Sequence, residues 1–159
     1  MLFRSGVIEA YRLLRPKNPY LELVHRLDKG TSGCLLLAKR RSRLVELQDL
    51  LRERAMSKTY LTLLYGRLKK DRVEVDLPLK KIHQDNGEYR VKPAAGGKPA
   101  KTIFQVVKRF SNATLCQVTL ISGRTHQIRV HAQSLGHPVA CDDRYGDPKF
   151  DSEMKKLGL

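Results

Sequence analysis

Lys101-Thr-Ile-Phe-Gln-Val-Val-Lys-Arg-Phe110 and Ala113-Thr-Leu-Cys-Gln-Val-Thr-Leu-Ile-Ser122 are two strand-like runs separated only by Ser111-Asn112, and Gly123-Arg-Thr-His-Gln-Ile-Arg-Val-His131 comes directly after them. A connection that short can join only antiparallel neighbours, because a parallel pair needs a crossover of a dozen residues or more. The runs therefore predict a long hairpin. Thr125 is placed to cap a helix that continues to Leu135, where Gly136 and Pro138 end it. On that helix Ile128, Ala132 and Leu135 share one face, and His126, Arg129 and Gln133 another.

Upstream of the hairpin, Lys58–Tyr65 alternates as a strand, with Leu61, Leu63 and Tyr65 opposite Tyr60, Thr62 and Leu64, until Gly66 stops it. Asp85-Asn86-Gly87 is a hairpin-turn signal, and Ala94–Pro99 a Gly/Pro loop. Nearer the N-terminus, Ser42 is positioned to cap a helix over Arg43–Ala55, with Leu44, Leu47, Leu50 and Leu51 as its core face. Leu21–Val24 reads as a strand entering the loop His25–Gly33, and Cys34–Ala38 as a buried strand leaving it. Gly6–Leu14 has helical spacing, which Pro16 and Pro19 terminate. Met1–Ser5 match nothing else and are read as a non-native scar. The whole predicts α+β: a mixed, largely antiparallel sheet flanked by helices, forming one domain over residues 6–159.

The 159 residues carry 31 Lys and Arg against 16 Asp and Glu, a net charge of +15. That charge implies a polyanionic partner, and nucleic acid is favoured over a membrane because the cations are spread along the chain rather than gathered on one amphipathic helix. Lys39-Arg40-Arg41, Lys69-Lys70 and Lys80-Lys81 are candidate phosphate contacts. With no Trp and 6% aromatic residues, the chain lacks a stacking platform for single strands, so a pocket that captures one flipped base suits it better. Cys34, Cys116 and Cys141 are widely separated and form no C-x-x-C pair, which excludes a disulfide framework and a zinc site and predicts buried thiols in the cytoplasm. No apolar stretch approaches the ~20 residues of a membrane span. The histidines form no metal pair at helical spacing, and His83 and His137 are assigned to loops.

Asp28 stands in His25-Arg26-Leu27-Asp28-Lys29-Gly30-Thr31-Ser32-Gly33, between two cations and beside small residues that let the backbone turn. Adjacent cations favour the charged form of a carboxyl group, which suits a nucleophile better than a general acid. On the local residues alone, a turn aspartate is the commoner reading.

That nine-residue stretch resembles the catalytic signature of the RluA-type pseudouridine synthases. Lys58-Thr-Tyr60 and Gly123–His131 resemble two further motifs of the family, in the same order, as do Gly97-Lys-Pro-Ala100, Gly136-His-Pro138 and Asp142-Asp143-Arg-Tyr-Gly146. The similarity runs from about Gly6 to Phe150 and is strongest to the RluC-type enzymes of large-subunit ribosomal RNA. It implies that Asp28 is the nucleophile, Tyr60 the ring stacked on the target base, Arg129 the cation paired with Asp28, and Arg26 the residue filling the space of the flipped uridine. Lys29, Thr31, Arg124 and His126, with Lys39, Arg40 and Arg41, are the implied RNA contacts. The family cleaves the glycosidic bond, turns the uracil and rejoins it through carbon, without cofactor or metal. A glycosidase-like use of Asp142 and Asp143 is disfavoured, since adjacent residues seldom point the same way. An RNA-binding module without chemistry would have no need of Asp28 beside Arg26 and Arg129.

The family's Asn-Lys-Pro strand before the first helix and its apolar strand after the Asp-Asp-Arg-Tyr-Gly region have no counterpart in the sequence, so the fold is expected to be incomplete at both ends. The full-length parent is expected to be a monomer. Such a fold leaves apolar sheet edges unpaired, and association of the chain at high concentration is the expected outcome. Sedimentation analysis across a concentration series checks this: a monomer throughout, with cooperative unfolding, contradicts it.

Overall fold

The computed structural model describes residues 6–16, 20–85, 87–156 and 158; the stretch Met1–Ser5, read as a scar, lies outside them. The chain divides into two compact units, Met1–Met56 and Ser57–Leu159.

In the first unit, helix α1 (Val7–Leu14) is tied to the segment at Leu21 and Glu22 by Arg12, whose guanidinium donates to the Leu21 carbonyl at 2.8 and 3.1 Å and pairs with Glu22 at 2.7 Å. Strand β1 (Glu22–Leu23) pairs antiparallel with β2 (Leu37–Ala38), and helix α2 (Arg41–Arg52) comes next. The expected strands on either side of the Asp28 loop are present, but each is only two residues long. Cys34 is exposed and Leu35–Leu37 half-buried; Ala38 alone in that run is buried. A two-residue ladder gives the rest of the run no sheet neighbours to cover it. Helix α2 starts earlier than expected, after Arg40, so Ser42 lies inside it and caps nothing. Its leucine stripe, Leu44, Leu47, Leu50 and Leu51, is half-buried rather than core.

The second unit is built on the four-stranded antiparallel sheet β3-β8-β7-β4, with β3 Thr59–Tyr65, β4 Arg72–Asp76, β7 Lys101–Arg109 and β8 Ala113–Leu120. Strands β5 (Leu79–His83) and β6 (Tyr89–Pro93) form a separate hairpin, closed by Gln84 N–H donating to Glu88 O at 2.8 Å. Gly87 sits at φ +79 in that turn, a conformation glycine adopts without steric cost. The long hairpin β7–β8 forms as expected, antiparallel, with a bulge between Val106 and Lys108. All strand pairs are antiparallel among the described residues, and the sheet is divided in three rather than continuous.

Alternation sorts the residues of this sheet onto two faces. On one, Leu64, Val75, Phe104, Cys116 and Val118 pack with Ala132 of helix α3 (Gln127–Ser134). On the other, Ala113, with Leu63 and Tyr65, meets Phe150 and Met154 of helix α4 (Pro148–Lys156), the Tyr65 and Phe150 rings 4.7 Å apart. Each fully buried Val, Leu, Phe or Met side chain here contributes about 1.5–3 kcal/mol. Leu61 on edge strand β3 is 69% exposed and Val107 on β7 56%. Of the thiols, Cys116 is buried as expected, and burial pushes it up to about 11. Cys34 and Cys141 are exposed, contrary to expectation, because both lie in loops outside the packed faces. No helix among the described residues is long and apolar enough to cross a membrane.

Thr125 does not cap α3. The preceding residue of the helix is His126, in the left-handed region at φ +54, and the turn is held instead by the buried Gln127 side chain. Gln127 Oε1 accepts from Arg124 N–H at 2.9 Å and from Ser122 Oγ at 2.8 Å; its Nε2 donates to Lys101 O and Thr102 Oγ1, both at 2.9 Å. Thr102 Oγ1 lies 2.8 Å from His131 Nδ1, and His131 Nε2 lies 3.0 Å from Leu77 O. A carbonyl can only accept, so His131 carries its proton on Nε2, and Nδ1 accepts the Thr102 hydroxyl.

Burial holds His131 below its ordinary value of 6.5, outweighing the opposite effects of the Leu77 carbonyl and Asp76. The folded chain thus resists a proton that the unfolded chain binds readily, so stability present above pH 6.5 is lost as the pH falls below it. Thermal unfolding between pH 7.5 and 5 is expected to show a falling Tm. His131→Gln should start about 1–3 kcal/mol less stable, with a shallower slope.

Candidate active site

The Asp28 loop is gathered by two bonds from one leucine: Leu36 O accepts from Val24 N–H at 3.0 Å, and Leu36 N–H donates to His25 Nε2 at 3.2 Å. Inside it Thr31 N–H donates to Asp28 O at 2.9 Å, a tight turn, and Gly33 at φ +130 completes the reversal in a region that side chains rarely enter. Asp28 and Thr31 are half-buried, and Arg26 and Lys29 exposed. Lys39, Arg40 and Arg41 are three consecutive exposed cations at the start of α2. His25 was not among the residues expected at the site. Its place at the head of the motif was the available signal.

Tyr60 and Arg129 belong to the second unit. Tyr60 lies on β3 opposite Val118 of β8, half-buried against the core cluster of Leu64, Phe104 and Val118. Arg129 projects from α3 to a buried carboxylate: Nε to Asp142 Oδ2 at 2.6 Å and Nη2 to Asp142 Oδ1 at 2.5 Å, a bidentate fork, with Asp143 Oδ1 at 3.4 Å. Asp142 is fixed in turn by Arg144 N–H and Tyr145 N–H, each donating to Oδ1 at 3.0 Å. Its side chain is 3% exposed, against 95% for Asp143, so the two adjacent acids occupy unlike surroundings and form no carboxylate pair of the hydrolytic kind.

Tyr145 lies beneath this fork. Its ring is buried, with the Arg129 guanidinium 5.0 Å and the Arg90 guanidinium 5.2 Å from its centroid. Its hydroxyl accepts from Val91 N–H and bonds His126 Nδ1, both at 3.0 Å. His126 also stacks on Tyr89 at 6.1 Å, which explains how a non-glycine residue is held at a positive φ. The backbone strain is thus located beside the arginine that the sequence marked. Arg124 is exposed and donates to Pro99 O at 3.1 Å. Among the other histidines, His137 bonds the Tyr65 carbonyl at 2.7 Å, and His83 ends strand β5 rather than lying in a loop.

The sequence marked Asp142 and Tyr145 as part of a motif without giving them a task. Only packing shows that they orient Arg129. Burial raises the Asp142 carboxyl, but the Arg129 fork and the Tyr145 and Arg144 amides outweigh it and hold the group below its ordinary value of 3.8.

A sequence model of the RNA pseudouridylate synthase family matches residues 5–134. The chain belongs to that family. It is 51% identical over 154 residues to the ribosomal large subunit pseudouridine synthase C of Haemophilus ducreyi, covering 97% of this chain and 48% of that protein. To the enzyme of the same description from Escherichia coli it is 50% identical over 153 residues, with 96% and 48% covered. Among solved structures, human RNA pseudouridylate synthase domain containing 1 matches with a TM-score of 0.78 at 27% identity, over 91% of this chain and 62% of that one. The human domain containing 4 matches at 0.74 and 27%, over 96% and 65%. The chain spans about half the length of the curated relatives it matches.

Asp142→Ala leaves Arg129 without its fork. A loss of roughly 2–3 kcal/mol is expected, at or below the low end for breaking a buried pair because the Arg129 side chain is 21% exposed. Because the folded-state value is depressed, the contribution of Asp142 is present above pH 3.8 and fades below it. Urea unfolding of both proteins at pH 7 and pH 3 measures this: the difference should shrink at the lower pH, and an unchanged difference argues against the ion pair as its source.

Proposed function

We propose that residues 6–159 work as one catalytic domain of an RNA pseudouridine synthase, converting specific uridines of large-subunit ribosomal RNA to pseudouridine in the cytoplasm. Asp28 is the nucleophile, Tyr60 stacks on the target base, and Arg129 is the cation paired with Asp28. Arg26 takes the space of the extruded uridine, since chemistry on a stacked base requires its removal from the helix and a guanidinium can replace it in the stack. Lys29, Thr31, Arg124, His126 and the run Lys39-Arg40-Arg41 hold the RNA. The bond from ribose to uracil nitrogen breaks, the uracil turns, and a bond to carbon replaces it. Nothing leaves the substrate, so the reaction needs a nucleophile, a tight pocket and a proton path through Tyr60 or water, with no cofactor.

The observation that supports this reading best is the anchoring of Arg129. A guanidinium fixed by a buried carboxylate below a strained turn is preorganised, as an electrostatic partner of a reacting carboxylate needs to be. The relatives at about half identity, described as large-subunit enzymes, support the choice of RNA.

Unmodified large-subunit ribosomal RNA is incubated with the protein and with Asp28→Asn, and pseudouridine is mapped by chemical labelling and primer extension. The variant is expected to lose modification by several orders of magnitude, the scale of removing a nucleophile, while still retaining RNA. Equal modification by both removes Asp28 from the mechanism. Binding without modification by the unaltered protein favours an RNA-binding module.

A further inference from the structure

A cleft of about 430 Å³ opens between the β5–β6 hairpin, the loop at Gly97 and the turn at Arg124. Lys80, Lys81, Lys98 and Arg124 line it, together with Thr125, and none of its lining residues is acidic. Among the described residues none of these four cations is in an ion pair. Their local partners are neutral: the Tyr89 ring, 4.4 Å from Lys81 Nζ, and the Pro99 carbonyl for Arg124.

The cleft is built rather than incidental. Leu79 and Lys98 exchange both backbone hydrogen bonds, at 2.8 and 2.9 Å, which locks the loop to the hairpin. A side chain at Gly97 would come within 2.7–2.9 Å of the Leu79 backbone, so only glycine permits that approach. The opposite wall is held by the Gln127 side chain through Arg124 N–H. Four cations gathered from three chain segments exceed the charge of one phosphate and match several in succession, that is, a polymer. Lysines on flexible stems suit phosphates as point charges and carry no sequence information. Arg124 and Thr125 also lead directly into His126 and the helix bearing Arg129.

We infer that this cleft is a track for the phosphodiester backbone of the RNA strand, extending the proposed site beyond the target nucleotide. The inference rests on the proposed function for the identity of the polymer, so its test reads binding and not turnover. Affinity for a large-subunit ribosomal RNA fragment is measured across 0.05–0.3 M KCl for the protein, for Lys80→Ala/Lys81→Ala/Lys98→Ala, for the corresponding triple Lys→Arg variant, and for Lys149→Ala/Lys155→Ala/Lys156→Ala. The last removes equal charge from α4.

With about 0.7–0.9 counterions released per phosphate contact, the cleft variant should lose about 2 to 3 from the slope of log affinity on log salt, and its Kd at 0.1 M should rise at least about 10-fold. The arginine variant should keep the slope, which also shows that the cleft tolerates substitution, and the α4 variant should lose much less. An unchanged slope in the cleft variant, with native circular dichroism, overturns the inference, as does an equal loss in the α4 variant. Repeating the series in Asp28→Asn separates the two proposals: a cleft effect that persists there stands even if no pseudouridine is ever formed, and conversion without a cleft effect refutes the track alone.

Discussion

Gln127 is the residue on which the second unit turns. An amide with all four of its hydrogen bonds made inside the protein cannot be shifted without leaving buried donors and acceptors unpaired, at about 1–3 kcal/mol for each group. It joins the end of β8, the first residues of β7 and the turn before α3. Through Thr102 the same chain of bonds reaches His131 and then the Leu77 carbonyl beyond β4. Helix α3 therefore has one position on the sheet. The hydrophobic cluster that Ala132 shares with Phe104 and Val118 stabilises it there, but burial of that kind is non-directional and tolerates rotation. The polar chain sets the azimuth of the helix and so the direction in which Arg129 points.

That constraint orders the rest of the site. With α3 fixed, Arg129 reaches Asp142, whose carboxylate is positioned by its own downstream amides, and Tyr145 is drawn under the guanidinium. The Tyr145 hydroxyl meets Val91 of the β5–β6 hairpin and His126 at the helix start. One buried ring thereby links hairpin, helix and the Asp142 turn. The strain at His126 persists because the Tyr89 ring and the Tyr145 ring and hydroxyl hold its imidazole in place.

Legibility in the sequence varied with the physics behind each signal. The β7–β8 hairpin and β3 were plain, because alternation over seven or more residues leaves little choice of register. Strand β4 was missed: Arg72–Asp76 alternates over only five residues, with charges on its outer face. Helix α4 was missed too, although Pro148 at its first position and Phe150 and Met154 four apart were a usable signal. The caps assigned to Ser42 and Thr125 did not form: α2 starts after Arg40 and α3 after His126, neither with a side-chain cap, and the start of α3 is held by Gln127 instead. Apolarity alone misread Cys34–Leu37 as buried, because burial depends on a neighbouring strand that this short ladder does not provide.

Periodicity, net charge and ordered motifs are properties of the chain, and from them alone came the α+β class, the antiparallel pairing, the polyanion preference and the family. Packing in three dimensions was needed to reveal that Asp142 and Tyr145 hold Arg129, that His131 is a core group and not a surface contact, and that Lys80, Lys81, Lys98 and Arg124 share one cleft. Those facts depend on which distant residues are brought within hydrogen-bonding distance or around one cavity. A contact between residues 54 positions apart, such as Val91 with Tyr145, leaves no periodic trace in either segment.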